Sequence, residues 1–472
     1  MDVIGIRTEG LGDATYILVH EGDAVVVDPQ RDVGRFIDAL APTGARPRFV
    51  LETHVHNDYL SGGIELAART GAQLVLPAAA GAAFRHVAAF HLEPLDAGAF
   101  TLLPLHTPGH TPEHTSYVVM FGDEPSAILT GGSLLVGSAG RTDLLGSHRA
   151  AQLARLQFQS IRRLAAYPDE VGILPTHGAG SFCTSSAVGD ATSTVGQERR
   201  DNPVLAHRDV EAFVDAQTTG LGPYPAYYRF MGPMNLAGPP PMPPTEPPSL
   251  TVEEARRSGA TIVDMRPREA HAGGHLPESM GIELGDTFGV WVGWLVPHRD
   301  RLALVADRNQ DVAEAVTQLA RIGMDDVVGV IGSLAGVELA SFATATSSDL
   351  VAAVAAGRAV QILDVREPPE RTTGYIDGSI GIHVATVVAE PPSLDPDQPV
   401  WVVCGSGFRS TIAGGVLRRA GLTPIVVTTG GVAEVLAGLG ETAASSPRGS
   451  EVAGTEATQA GAGRDPRRST PG

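Results

Sequence analysis

The sequence predicts an α/β protein: an N-terminal αββα sandwich followed by two further α/β domains with parallel sheets. Three observations carry that expectation. Short β-rich runs separated by turns fill the first half, and histidine motifs follow several of them. A proline-dense segment interrupts the chain near residue 240. Beyond it the chain repeats itself, with matching motifs at 261 and 361 and again at 274 and 374.

In the first half, strands are predicted at 24–27, 48–51, 73–76, 117–120 and 127–129, and helices at 33–40, 63–69 and 150–164. These belong to a domain spanning 1–237. Residues 238–248, G-P-P-P-M-P-P-T-E-P-P, form a linker, because proline forbids helix and ladder pairing and favours an extended chain. Behind it, T-I-V-D-M-R-P-R-E-A at 261 matches Q-I-L-D-V-R-E-P-P-E at 361, and G-H-L-P-E-S-M-G-I at 274 matches G-Y-I-D-G-S-I-G-I at 374. Two copies of one fold follow, at 249–343 and 344–441, with strands alternating with helical stretches such as 312–321. Residues 442–472 are mostly Ser, Gly, Ala, Thr and Arg without apolar periodicity, the composition of a disordered tail.

Composition narrows the function. A formal charge of −19 argues against a nucleic-acid partner, since phosphate backbones recruit basic surfaces. The only cysteines are Cys183 and Cys404, too few for a disulfide framework, which points to a reducing, cytoplasmic setting. The N-terminus lacks a basic segment followed by an apolar core, and no run approaches about 18 apolar residues, so no membrane partner is expected.

Two constellations carry chemistry. His54, His56 and Asp58 lie in H-x-H-x-D-Y, His110 in T-P-G-H-T and His177 in P-T-H-G-A-G. Imidazole and carboxylate donors at loop positions suit Fe or Zn. His86, His91, His106, His114 and His148 have no comparable context and read as ordinary polar residues. The second constellation is Cys404 followed by Gly405, Ser406, Gly407, Phe408 and Arg409, between a V-W-V-V strand and a helix at 410–417. Loop amides converging on the sulfur, and the positive end of the helix, favour the thiolate. Such a thiolate can take sulfane sulfur as a persulfide and hand it on, with Arg409 steadying the anionic donor or the loop. In the preceding copy Ala306 replaces Cys404 and Asp311 replaces Arg409, so that copy has no nucleophile. Cys183 reads as a buried packing residue, and Tyr224, Tyr227 and Tyr228 with Arg229 as the cover of a domain seam.

The Cys404–Arg409 loop resembles that of rhodanese domains, and the 249–343 copy resembles an inactive one. The H-x-H-x-D, T-P-G-H-T and P-T-H-G motifs, in that chain order and with G-R-T-D at 140–143, resemble the metallo-β-lactamase superfamily. The whole is similar to bacterial fusions of a persulfide dioxygenase with an inactive and an active rhodanese. That resemblance implies low-molecular-weight thiol persulfides, such as glutathione persulfide, as substrates of the first domain, with iron and oxygen giving sulfite. It further implies sulfur transfer at Cys404 from a persulfide or thiosulfate-type donor to a thiol or sulfite acceptor. The chain departs from the family at Tyr59, where His is usual, and at Gly132, where an Asp ligand is usual, so a degenerate metal site is expected. His54, His56 and His110 could still form a three-histidine site, assisted by Asp58 and His177. That set also suits a Zn-dependent thioester-type hydrolase, and a third reading makes the first domain a scaffold for the rhodanese pair. The sequence leaves homo-oligomerisation open.

Overall fold

The computed structural model describes residues 1–185, 191–358 and 361–440; the expected tail at 442–472 lies outside the described residues. The first sheet runs in chain order through β1 (Asp2–Thr8), β2 (Asp13–His20), β3 (Asp23–Val27), β4 (Arg46–Leu51), β5 (Gln73–Pro77) and β6 (Val87–Ala89). β1 to β3 form an antiparallel meander, and β3 to β6 are parallel. Parallel neighbours need crossovers, supplied here by helices Gly34–Leu40 and Gly63–Thr70.

The second sheet contains β7 (Leu95–Asp96), β8 (Thr101–His106), β9 (Thr115–Phe121) and β10 (Glu124–Gly131). After the small β11–β12 pair (Leu134–Leu135, Ser138–Ala139) come β13 (Gly172–Pro175) and β14 (Ser193–Thr194), giving the order β14-β13-β10-β9-β8-β7. Side chains from the facing sheets, among them Leu18, Val25, Leu51, Tyr117 and Leu129, make the inner core. Phe36 and Leu66 cover the outer face of the first sheet, and helix Ser147–Leu164 covers that of the second. Strands such as β3 are buried on both faces, so they read as continuous apolar runs rather than alternating ones.

Behind residue 248 stand two five-stranded parallel sheets. The middle unit has β15 (Ser249–Leu250), β16 (Thr261–Asp264), β17 (Met280–Gly281), β18 (Leu302–Val305) and β19 (Val327–Ile331), in the order β15-β19-β18-β16-β17. The last unit has β20 (Ala343–Thr346), β21 (Gln361–Asp364), β22 (Ile380–Gly381), β23 (Val400–Val403) and β24 (Pro424–Thr429), in the order β20-β24-β23-β21-β22. Both sheets therefore run first, fifth, fourth, second, third. The repeat extends to side chains: Arg266 grips Asp264 and the Gly274 carbonyl at 2.7 Å, and Arg366 grips Asp364 and the Gly374 carbonyl at 2.8 Å.

The linker is extended, as its prolines dictate, but it is not a free tether. Buried Arg31 donates to the carbonyls of Pro240 at 2.9 Å, Pro241 at 2.6 Å and Ala320 at 3.0 Å, and to both oxygens of Asp325 at 2.6 and 2.8 Å. Arg321 reaches back to Asp32, and Tyr227 and Tyr228 are buried in a core shared with Trp291 and Trp294. The tyrosines thus sit at a seam, and one apolar core runs through all three units. Among the described residues no helix is long and apolar enough to cross a membrane.

Candidate functional site

The loops after β4, β8 and β13 carry His54, His110 and His177 to one edge of the sandwich, where a nitrogen of each lies within 4.8 Å of the others. The outer nitrogen of each ring is anchored. His110 Nδ1 donates to the Arg141 carbonyl at 2.8 Å, and His177 Nδ1 contacts Asp13 Oδ1 at 2.7 Å. His54 Nδ1 meets Thr53 Oγ1 at 2.8 Å; that hydroxyl donates to Asp28 Oδ2, so it accepts from the imidazole. With Nδ1 protonated, each Nε2 presents a lone pair. His54 Nε2 faces His177 Nε2 at 3.3 Å, and buried His110 Nε2 has no hydrogen-bond partner. Burial, then the neighbouring imidazoles, holds His54 and His110 far below the usual histidine range, and burial also lowers His177. Neutral rings with fixed tautomers and converging lone pairs fit a divalent cation, with the carbonyl, hydroxyl and carboxylate orienting the rings from outside.

His56 is not in that set; it groups with His54 and Asp28 instead, again with ligand atoms within 4.8 Å. Its Nε2 turns to Glu52 Oε2 at 3.0 Å, Tyr59 Oη at 3.0 Å and Asp28 Oδ1 at 3.3 Å. Burial opposes a charge there, but Asp28 and Glu52 outweigh it and raise His56 well above its ordinary value. Asp58 lies with Oδ2 at 3.4 Å from both His177 Nδ1 and Cys183 Sγ, while its buried Oδ1 is unpartnered. Burial pushes Asp13 and Asp58 up to about 7, and Asp58, His56 and His177 form a further group with atoms within 4.8 Å. Tyr59 stacks on His56 with ring centroids 4.3 Å apart, so its hydroxyl serves that acidic pocket.

At Gly132 a Cβ would overlap the His110 ring, and Gly140 encloses the same ring from a second side. The Gly132 amide donates to His114 Nε2 at 3.0 Å. His114, read from the sequence as an ordinary satisfied residue, is buried beside the cluster, stacks on His54 at 5.2 Å and is held near pKa 3 by burial, so it stays a neutral acceptor. Its signal was the second histidine four residues after His110. A narrow crevice walled by Ile64, Leu76 and Phe84 reaches His54 and His56.

Cys404 lies between β23 and helix Phe408–Arg419, as the motif predicts. Gly407, at φ +90°, supplies the left-handed turn that starts the helix, and its amide donates to Cys404 Sγ at 3.2 Å. Ser410 Oγ is 3.6 Å from the sulfur. Arg409 pairs with both carboxylate oxygens of Glu370, which ties the loop to helix Pro368–Arg371. In the middle unit, Ala306 follows β18 and Asp311 caps helix Val312–Arg321 through the Glu314 amide at 2.9 Å, so neither supplies a nucleophile or anion partner. Cys183 is fully buried, and burial raises its thiol well above the usual range.

Two family models match, the metallo-beta-lactamase superfamily over residues 8–177 and the rhodanese-like domain over 346–437. The human mitochondrial persulfide dioxygenase ETHE1 is 29% identical over 230 residues, covering 47% of this chain and 82% of that protein. The hydroxyacylglutathione hydrolase of Cereibacter sphaeroides is 31% identical over 230 residues, covering 46% and 79%. That of Acidiphilium cryptum is 34% identical over 166 residues, covering 34% of this chain and 63% of the relative, under two thirds of its length. A crystal structure of a metallo-beta-lactamase from Staphylococcus aureus superposes with a TM-score of 0.65 at 27% identity, covering 70% of this chain and 98% of that one. His54, His110 and His177 fall inside the first matched segment and Cys404 inside the second, and on these matches the chain belongs to the metallo-beta-lactamase superfamily and carries a C-terminal rhodanese-like domain.

Proposed function

We propose that this chain is a sulfur-metabolism enzyme in which Cys404 carries sulfane sulfur and the first domain acts on low-molecular-weight thiol persulfides. The observation that carries the reading is the Gly407 amide donating to Cys404 Sγ at 3.2 Å at a helix N-terminus, on a chain whose first domain is similar to persulfide dioxygenases. In the transfer step the Cys404 thiolate attacks the outer sulfur of a persulfide or thiosulfate-type donor. The donor's sulfur–sulfur bond breaks, and the thiolate or sulfite leaves with the electron pair. A thiol or sulfite acceptor then takes the outer sulfur from the Cys404 persulfide and restores the thiolate, with no net redox change.

In the first domain His54, His110 and His177 would hold divalent iron or zinc. Such an ion supplies Lewis acidity, and iron also supplies redox chemistry with oxygen. Asp13, Thr53 and the Arg141 carbonyl orient the rings. The middle unit, with the strand order of the last, reads as a rhodanese-like copy without a nucleophile. Cys404→Ser should abolish sulfur transfer from thiosulfate while leaving circular dichroism unchanged; retained transfer would sink the carrier assignment. Iron in the purified chain, with oxygen uptake on glutathione persulfide, is the expected result for the first domain.

A second reading rests on the donor set itself: three neutral imidazoles without a carboxylate suit zinc, and hydroxyacylglutathione hydrolases are among the relatives. Stoichiometric zinc with thioester hydrolysis and no oxygen uptake would establish it.

A further inference from the structure

The middle unit reaches the Cys404 loop through one side chain. Arg268, the first residue of helix Arg268–Gly273, donates from Nη1 to the Ser406 carbonyl at 2.8 Å and to the Thr428 carbonyl at 3.4 Å. Its Nε and Nη2 rest on Glu283 Oε2 at 2.7 Å, so the guanidinium is held in place. The Ser406 oxygen and the Gly407 N–H belong to one trans peptide group, and they point in opposite directions. That N–H is the one donating to Cys404 Sγ at 3.2 Å. A cation at the oxygen end polarises the peptide, and hydrogen bonds in series strengthen one another. A Cβ at residue 407 would overlap the Thr428 carbonyl and lie 2.9 Å from Arg268 Nη1, so only glycine lets the arginine come this close.

We propose that Arg268 is a positioning residue for Cys404: from the neighbouring unit it fixes and polarises the 406–407 peptide, which stabilises the thiolate and then the persulfide anion. The inference rests on Cys404 as sulfur carrier, and it gives the copy without a nucleophile a part in the site. The other charged groups around the loop are Arg409, paired with Glu370, and Glu367, which faces the first domain near Gly222. His383 lies beside Trp291 and Trp294, with burial and then Arg409 lowering it to about 4, so it is uncharged at neutral pH. Among the described residues, Arg268 is the charged group from another unit that bonds the loop backbone at Ser406.

The test reads the thiolate directly, as ultraviolet absorbance across pH in the full chain, taken as the difference from Cys404→Ser. Arg268→Gln should move the absorbance midpoint up by about one pH unit, leaving about tenfold less thiolate below the midpoint. Arg268→Lys should fall between the two and recover part of the sulfur-transfer rate. The rate loss should appear in kcat more than in KM, because Arg268 acts through the 406–407 peptide. If Arg268→Gln does not fold, Arg268→Lys against the unaltered chain carries the comparison, with a smaller upward move expected. An unchanged midpoint in every folded variant overturns the proposal, even where transfer falls, since a purely structural brace lowers stability without moving the titration. The absorbance comparison needs no turnover, so a failure of the sulfur-carrier reading, seen as transfer surviving in Cys404→Ser, remains a separate result.

Discussion

At the level of single residues, the site turns on which nitrogen each histidine turns inward. His110 occupies a slot made by two glycines, so a side chain at Gly132 meets the imidazole before it can reach any cation. The family's usual Asp at this position therefore cannot be restored without shifting the His110 ring. Gly132→Ala should therefore lower stability by about 1–3 kcal/mol, the usual cost of overpacking, and reduce bound metal on elemental analysis. Metal content equal to that of the unaltered chain would show that His110 moves freely. The motif spacing marked His54, His56, His110 and His177, but it could not say that His54, His110 and His177 share one cluster while His56 joins others with Asp28 and Asp58. That choice is made by Asp28 and Glu52, which lie outside the pattern and draw His56 away.

Among elements, strands buried on both faces were legible because their apolar runs are continuous, as at β3, β4 and β10. β1, β2, β8 and β13 were not: β1 is an edge strand with exposed Asp2, Val3 and Gly5, β8 and β13 carry a proline that reads as a break, and β2, though buried on both faces, mixes Asp13, Thr15 and His20 into its run. The rhodanese-type turn was legible because strand, Cys404, glycines and helix follow without a gap. Arg268 was hidden, since a contact across 138 residues leaves no local mark. Helix Arg268–Gly273 and the turn after it also pack His271 and His275 against Phe342 and against Gly415 of the last unit. Burial, then His271, lowers His275 to about 4, below its unfolded value of about 6.5. The neutral form therefore stabilises the fold fully above about 6.5, and that contribution is lost as pH falls toward 4. His275→Gln should flatten the decline of the thermal midpoint across that interval; an equal slope would place the acid sensitivity elsewhere.

For the whole molecule, Arg31 decides how the first domain meets the rest. Removing it leaves Asp325 and three carbonyls facing a void. Asp325 is about one-third exposed and partly screened, so Arg31→Ala should cost about 3 kcal/mol, toward the low end for breaking a buried pair. A single shift of the denaturation midpoint is expected by fluorescence and circular dichroism alike. Two separated transitions would show that the units melt independently. Repeat and linker were both plain in the sequence, but proline content describes a stiff connector and says nothing of the arginine that clamps it. The same clamp bears on traffic within the molecule. Among the described residues, Arg31 braces the joint and one apolar interior is shared by all three units, which holds the two sites at a fixed separation. On the proposed sulfur chemistry, a compound made at the histidine cluster would reach Cys404 by diffusion, open to interception by competing thiols.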